Sequence, residues 1–126
     1  MGKKIYATQI LKACIGEPAI VGTAFGLVRT SAVDGMCGQS KSILMLTTAN
    51  SEYEIIKLPE KKVRLADAIQ FVSIGRPAFV SCDGLIMRTS NVVATMEDEY
   101  GYYVETINTI YALKGAAVQP ISKTSI

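Results

Sequence analysis

The stretch Pro18–Val33, PAIVGTAFGLVRTSAV, returns later in the chain as Pro77–Val92, PAFVSCDGLIMRTSNV. Seven of the sixteen aligned positions are identical and no gap is needed, whereas unrelated segments of this length share roughly one position. Two copies are too few for a solenoid or a propeller, which need at least about three repeats. The repeat therefore predicts a pseudo-symmetric sheet, in which two strand–turn–strand units each present an Arg-Thr-Ser turn.

Most of the remaining chain has the alternating pattern of short antiparallel strands. One segment differs, because its apolar residues follow helical spacing, and Arg64–Ser73 is predicted to be a helix that ends at Gly75. Tyr102–Leu113 is predicted to be one long strand, paired with Val92–Glu97 in a hairpin. We therefore expect an α+β fold, mainly antiparallel β-sheet with one or two short helices.

Length and composition indicate a single domain, 1–126, in which 115–126 forms a flexible or partner-held tail. The net charge of +2 gives no support to nucleic-acid or membrane-surface binding. No segment has the roughly twenty apolar residues of a membrane span, and the amino terminus lacks the apolar core of a secretion signal. We expect a cytoplasmic protein. Because many strands carry apolar residues on both faces, we also expect a homo-oligomer.

The absence of histidine excludes Ser-His-Asp and Cys-His nucleophilic catalysis and every histidine metal site. The acidic run 97–99 and Asp34 are interpreted as turn residues, although a Mg²⁺ site built from separated acids stays open. Cys14, Cys37 and Cys82 are interpreted as reduced, buried residues without a metal or redox role. The sequence thus favours a protein that is not an enzyme, with no catalytic residue, metal or cofactor.

With catalysis disfavoured, the sequence points to a ligand-binding site. Its candidate residues are Arg88-Thr89-Ser90-Asn91, and Arg29 in the first copy. A guanidinium grips phosphate bidentately, the hydroxyls add donors, and the amide of Asn91 reads a base edge or a ribose hydroxyl. The alternative also stays open: Thr-Ser and Asn-Thr pairs bond to neighbouring backbone at strand ends, and an arginine there is often a surface residue.

A second polar cluster and an aromatic side chain for stacking a base are expected beside this motif. The polar cluster consists of Thr106, Asn108 and Thr109. The aromatic candidates are Phe79, Tyr103 and Tyr111. Together these groups would match the phosphate, the sugar and the base of a nucleotide.

Four short segments carry a resemblance that spans most of the chain: Lys4–Tyr6, Ala13–Gly16, Arg88–Val92 and Glu105–Tyr111. Together they resemble the first type of phage Thoeris anti-defence protein, a cyclic ADP-ribose sponge. Such sponges are not enzymes; they bind glycocyclic ADP-ribose tightly and release it intact. Their pockets lie between protomers, and some members are hexamers that also hold cyclic di- or trinucleotides at separate sites.

Carried onto this chain, the resemblance implies that Phe79 and Asn91 face the base, and that Arg29 and Arg88 face the phosphates. Lys114 is the candidate for the family's C-terminal basic contact, where lysine gives a point charge instead of a bidentate fork. The resemblance also implies a homo-oligomer, either a dimer or a hexamer, acting in the host bacterial cytoplasm during infection.

We therefore expect a phage anti-defence protein that sequesters cyclic nucleotide second messengers without cleaving them. Two other functions stay open. One is a protein-binding inhibitor of a host factor, whose melting temperature no small nucleotide would raise. The other is a carboxylate- or metal-dependent phosphodiesterase, which would show turnover and lose activity with a chelator.

Overall fold

A computed structural model describes residues 2–115, and every helix or strand assigned in that range is a β-strand. The expected α+β class is therefore wrong, and the fold is all-β. Between residues 2 and 115 there is no helix long and apolar enough to cross a membrane. The chain divides between Pro59 and Glu60 into two compact units, each with its own sheet. Apart from Gly115, the tail predicted at 115–126 lies outside the described residues.

The first unit is a six-stranded sheet. Its strands are β1 (Gly2–Ala7), β2 (Gln9–Lys12), β3 (Pro18–Thr23), β4 (Gly26–Gly38), β5 (Ile43–Thr48) and β6 (Glu52–Lys57). They lie in the order β1-β6-β5-β4-β3-β2, with β1 parallel to β6 and the other neighbours antiparallel. Thr8 alone separates β1 from β2 on the chain, and its N–H donates to the carbonyl of Gly22 at 2.8 Å. The two edge strands of the sheet, β1 and β2, are therefore joined by one residue, and the sheet curves so that these edges meet at Thr8.

The second unit repeats this topology strand for strand. Its strands are β7 (Lys62–Ala66), β8 (Ala68–Gln70), β9 (Pro77–Cys82), β10 (Leu85–Glu97), β11 (Gly101–Thr106) and β12 (Thr109–Lys114). Their order is β7-β12-β11-β10-β9-β8, with β7 parallel to β12. Asp67 separates β7 from β8, and its N–H donates to the carbonyl of Ser81 at 2.7 Å. The repeat seen in one stretch of sequence thus extends over the whole topology of both units.

The sequence match ends early because two loops differ in length. Strands β8, β9 and β10 begin at the positions that the gapless alignment pairs with the starts of β2, β3 and β4. The loops before β11 and before β12 are each shorter by a single position than the corresponding loops of the first unit. An alignment without gaps therefore loses the last two strands of each unit.

The helix predicted at Arg64–Ser73 does not form, because β7 and β8 occupy most of that segment. The two strands are separated at Asp67, where the chain leaves β12 and pairs with β9. This break shifts the inward–outward alternation by one residue, so that Ala66 and Ile69 are both buried. Inward residues three apart imitate the helical period, which explains the wrong prediction.

The single strand predicted at Tyr102–Leu113 is also wrong, because the segment folds into β11 and β12 with a turn at 107–108. The hydroxyl of Thr106 closes the turn: it donates to the carbonyl of Thr109 at 2.8 Å and accepts the N–H of Thr109 at 3.1 Å. The turn contains neither glycine nor proline. The usual sequence signal for a hairpin was therefore missing.

The Arg-Thr-Ser motif lies inside a long strand in each unit, not in a turn as predicted. In β10 a register shift leaves Thr89 and Ser90 opposite Ala78, which is a β-bulge. The hydroxyl of Thr89 accepts the N–H of Ala78 at 2.9 Å and donates to the carbonyl of Ser90 at 2.6 Å. Thr30 makes the same two bonds in β4, at 3.0 and 2.7 Å. The repeated threonine therefore supplies the backbone partner that the bulge removes.

Each unit buries its own set of apolar side chains. In the first unit they include Ile5, Ala7, Ala19, Val21, Val33, Leu46 and Ile55. In the second unit the core cluster contains Ala66, Ile69, Ala78, Val80, Cys82, Val92, Tyr102, Val104, Tyr111 and Leu113. Of the three cysteines expected to be buried, Cys82 is buried, whereas Cys14 and Cys37 are exposed. Burial raises the pKa of the Cys82 thiol.

Candidate ligand-binding groove

An open groove of about 710 Å³ lies at the surface of the second unit, a volume typical of small-molecule sites. We call it the second-unit groove. Its lining residues are Phe71, Val72, Ser73, Arg76, Pro77, Phe79 and Arg88. It brings together two of the predicted site residues, Phe79 and Arg88, with two that the sequence analysis did not single out, Phe71 and Arg76.

The pairing of β9 with β10 places Phe79 and Arg88 side by side. They are direct partners in the antiparallel register, and opposite residues of such a pair carry their side chains on the same face. The neighbours of Phe79 on the strand, Ala78 and Val80, are fully buried, so Phe79 faces outward. One strand pair thus presents an aromatic ring next to a guanidinium.

Arg76 reaches the groove from the turn that precedes β9. Gly75 supplies the left-handed backbone of this turn, with a φ of +88°, a region where glycine has no steric penalty. The N–H of Gly75 donates to the carbonyl of Val92 at 2.8 Å, and the N–H of Val92 donates to the carbonyl of Arg76 at 2.9 Å. The backbone at Arg76 is therefore anchored on β10 while its side chain is exposed.

Phe71 follows directly after β8 and has a left-handed backbone with a φ of +59°. For a bulky side chain this conformation costs on the order of 1 kcal/mol. Its ring meets that of Phe79 edge to face, with the centroids 5.9 Å apart and the ring planes at 83°. Phe71 and Phe79 are 59% and 40% exposed. The two rings form a right-angled apolar corner that is open to solvent.

The groove carries positive charge that its own lining does not neutralise. Of the described residues that line it, none is acidic. Across residues 2–115, neither Arg76 nor Arg88 takes part in an ion pair. Arginine binds carboxylate and phosphate through two parallel hydrogen bonds. The groove therefore combines an anion-binding side with a flat apolar side.

The first unit has a different surface at the same place in the repeat. In the gapless alignment, the groove residues Phe71, Arg76, Phe79 and Arg88 correspond to Lys12, Glu17, Ile20 and Arg29. Lys12 forms an ion pair with Glu17. This hydrogen bond and the charge of Glu17 raise the pKa of Lys12 above its ordinary value of 10.5, against an opposing effect of Arg29. The charge of Lys12 is thus neutralised while Arg29 keeps its own, and no aromatic ring stands at these four positions.

The other residues of the predicted Arg88–Asn91 motif lie outside the groove lining. Thr89 is buried, and its hydroxyl is used in the bulge. The hydroxyl of Ser90 accepts the N–H of Asn108 at 3.4 Å. Asn91 is exposed, and its carbonyl accepts the N–H of Ile107 at 3.1 Å. The motif and the turn at 107–108 therefore lie next to each other, as the sequence analysis expected.

The remaining candidates are scattered. Thr106 is buried and closes its turn, while Asn108 and Thr109 belong to the same hairpin. Lys114 is exposed at the end of β12. Arg29 belongs to the first unit, and Tyr103 and Tyr111 are buried. Of the three aromatic candidates, Phe79 alone lines the second-unit groove.

The repeat itself contained a signal for Arg76. The segment Ile74–Ala78 matches Ile15–Ala19 at every position but one, where Arg76 replaces Glu17. This charge reversal changes the surface chemistry of the segment, while the neighbouring residues of the turn are retained. Phe71 left no comparable signal, because its exposure depends on a left-handed backbone that the sequence does not indicate.

Within the described part of the chain, no group of three or more His, Cys, Asp or Glu residues is placed to hold a metal ion. No protein-family model, no curated protein and no solved structure matches the chain. The functional interpretation therefore depends on the chemistry of the groove and on its comparison with the first unit.

Proposed function

We propose that the protein captures a cyclic nucleotide second messenger in the second-unit groove and holds it without cleaving it. The observation that carries the proposal is the meeting in one groove of two exposed aromatic rings and two arginines, which have no ion-pair partner among the described residues. A nucleotide joins a flat, largely apolar base to a phosphate anion. Each part then has a matching group in the groove.

The energetics are compatible with tight capture. A sponge that acts stoichiometrically needs nanomolar affinity, which corresponds to about 12 kcal/mol. Stacking of a base on an aromatic ring contributes about 1–3 kcal/mol, and a hydrogen bond to a charged group contributes about 1.5–3 kcal/mol. Because the groove is open and binding also costs entropy, a covering surface would help to reach that affinity. The expected homo-oligomer, a dimer or a hexamer, is part of the proposal for that reason.

In this proposal the biological role is that of a phage anti-defence protein in the host cytoplasm. A captured messenger no longer reaches the host effector, so the host defence stays inactive. The chemistry needs no general acid or base, which suits a chain without histidine.

A second candidate function is inhibition of a host protein, and one observation favours it. Leu85 and Ile86, at the tip of the β9–β10 hairpin, are 68% and 77% exposed. Exposed apolar residues at a strand end suit contact with another protein. This function differs from nucleotide capture in that no small nucleotide would raise the melting temperature.

The test is a capture assay with a panel of cyclic nucleotides, including glycocyclic ADP-ribose and cyclic di- and trinucleotides. The purified protein is incubated with the panel, filtered and then denatured by heat, and the free and released pools are analysed by mass spectrometry. We expect one nucleotide to be depleted from the free pool and recovered intact after heating.

The matched variants are Arg88→Ala and Arg29→Ala, which remove the same side chain from equivalent strand positions. We expect depletion to be lost with Arg88→Ala and kept with Arg29→Ala. If new products appeared in place of the intact nucleotide, the protein would be an enzyme that cleaves the nucleotide. No depletion of any nucleotide by the native protein would overturn the proposal and leave the protein-binding function.

A further inference from the structure

We infer that Phe71 is a ligand-contacting residue, held in a strained backbone so that the groove selects phosphate ligands that carry a planar ring. The inference rests on the proposed nucleotide capture and assigns the selection of the base to one side chain. Phe71 belongs to none of the motifs that the sequence presents as candidate site residues.

Turn chemistry does not explain the backbone of Phe71. Among the non-glycine residues of the described range, Phe71 and Asp83 are the two with a positive φ. Asp83 lies in the Asp-Gly turn of the β9–β10 hairpin, where a left-handed residue is required and aspartate tolerates it. Phe71 lies in no such hairpin, and phenylalanine is among the residues least suited to this conformation.

The fold does not require the conformation either. Lys12, which the gapless alignment pairs with Phe71, follows a register shift at the end of β2, where it lies opposite Ile20, and has no positive φ. The same strand order is therefore built without a left-handed residue at this position. Burial does not compensate for the strain, since Phe71 is 59% exposed. Its aromatic contact is the edge-to-face contact with Phe79. A strained and exposed ring with no structural requirement points to a binding role.

The corner formed by Phe71 and Phe79 is suited to bind a planar aromatic ring. A flat ring that stacks on one phenyl face meets the edge of the other, an arrangement that aromatic groups favour. Arg76 and Arg88 line the same groove and are available to phosphate oxygens. Removing Phe71 therefore takes away one wall for the base and leaves both arginines for the phosphates.

The experiment compares ADP with inorganic pyrophosphate, two probes that share a diphosphate but differ in the presence of a base. We expect the native protein to bind ADP at least about tenfold more tightly than pyrophosphate. In Phe71→Gly, the ADP affinity should fall to about that of pyrophosphate, while the pyrophosphate affinity changes less than about twofold. Without ligand, the melting temperature of Phe71→Gly should fall less than that of Lys12→Gly, because relief of the left-handed strain offsets part of the entropic cost of glycine.

Lys12→Gly is the matched control at the equivalent position. Since Lys12 lies in β2 and has no positive φ, this change should lower the melting temperature and leave ADP binding unaltered. A Phe71→Gly protein that keeps the preference for ADP would overturn the inference, as would a drop in its melting temperature as large as that of Lys12→Gly. So would a native protein that binds neither probe, or both equally.

The two proposals can fail separately. If the native protein captures no cyclic nucleotide but Phe71→Gly loses ADP selectively, ring selection stands and capture of a messenger falls. If Phe71→Gly captures the cyclic nucleotide as well as the native protein does, capture stands and the role of Phe71 falls.

Discussion

The two units share one strand order and the threonine-bonded bulge, yet they present different surfaces at the same place. In the first unit Lys12 and Glu17 neutralise each other beside Ile20. In the second unit the corresponding surface has two arginines and a corner of two aromatic rings. Interior positions such as Ala19 and Val21 are identical in the second copy. Exposed positions can diverge because surface substitutions cost little stability, whereas core substitutions cost much more.

The largest effect is expected from Arg76→Glu, which places the first unit's residue, Glu17, at this position of the second-unit groove. A charge-assisted contact is lost and a carboxylate now faces the phosphates, so affinity for the captured nucleotide should fall at least about 100-fold, or about 3 kcal/mol. Isothermal titration calorimetry measures the change. The control is Glu17→Arg, which should leave that affinity unaltered. Equal affinity of native and Arg76→Glu proteins would show that the groove is not the binding site.

The next largest effect concerns a feature that the two units have in common. Thr89→Val removes the hydroxyl that accepts the N–H of Ala78, leaving a buried donor without a partner. The free energy of unfolding should fall by about 2 kcal/mol. Thr30→Val should cost about the same, since its bonds are equivalent.

Urea unfolding followed by circular dichroism measures both threonine variants. Ligand affinity should stay within about twofold of the native value if the fold is retained, because neither hydroxyl lines the groove. A loss of stability in one unit alone would show that the two bulges are not equivalent. If Thr89→Val lost ligand affinity without losing stability, Thr89 would have to be a ligand contact.

A smaller effect is expected from Phe79→Ile, which places the first unit's residue in the groove. The isoleucine keeps the strand apolar but offers no face for a base, so affinity should fall about tenfold. Ile20→Phe is the reciprocal control and should not change affinity. If Phe79→Ile binds as tightly as the native protein, stacking on this ring is excluded.

The smallest effect concerns the ion pair of the first unit. The hydrogen bond and charge of Glu17 raise the pKa of Lys12, and Glu17→Gln should bring this pKa back toward 10.5. A raised lysine pKa stabilises the fold below the unfolded value, and this contribution disappears as the pH rises through the folded-state pKa. The native protein should therefore have a slightly higher melting temperature than Glu17→Gln near pH 8. At a pH above the raised pKa of Lys12, the two melting temperatures should be equal. Both residues are exposed, so the difference should be about a degree or less.

NMR titration of the Lys12 side chain would follow this pKa directly. An unchanged pKa in Glu17→Gln would show that the pair is not formed in solution. Either result leaves the groove of the second unit untouched, which makes this variant a control for the first three predictions.

Sequence reasoning identified the repeat and most of the central strands because alternation and turn residues are local properties. It failed at Asp67, where a change of strand partner imitated helical spacing, and at 107–108, where threonine side-chain bonds replace the usual turn residues. For the groove it found Phe79 and Arg88. It placed Thr89 and Thr106 among the ligand contacts, although their hydroxyls bond to backbone. The sequence alone does not distinguish a hydroxyl that bonds to the backbone from one that is exposed and able to bind a ligand.

The sequence by itself determined that the chain repeats a strand-rich unit and that it lacks histidine chemistry. The tertiary structure alone decided which copy carries an open groove, because that depends on side chains joined by strand register and by the left-handed backbone of Phe71. Residues such as Phe71 and Arg88 are well separated on the chain. Hydrogen bonds between strands bring them to one surface, and those bonds form between segments distant in sequence.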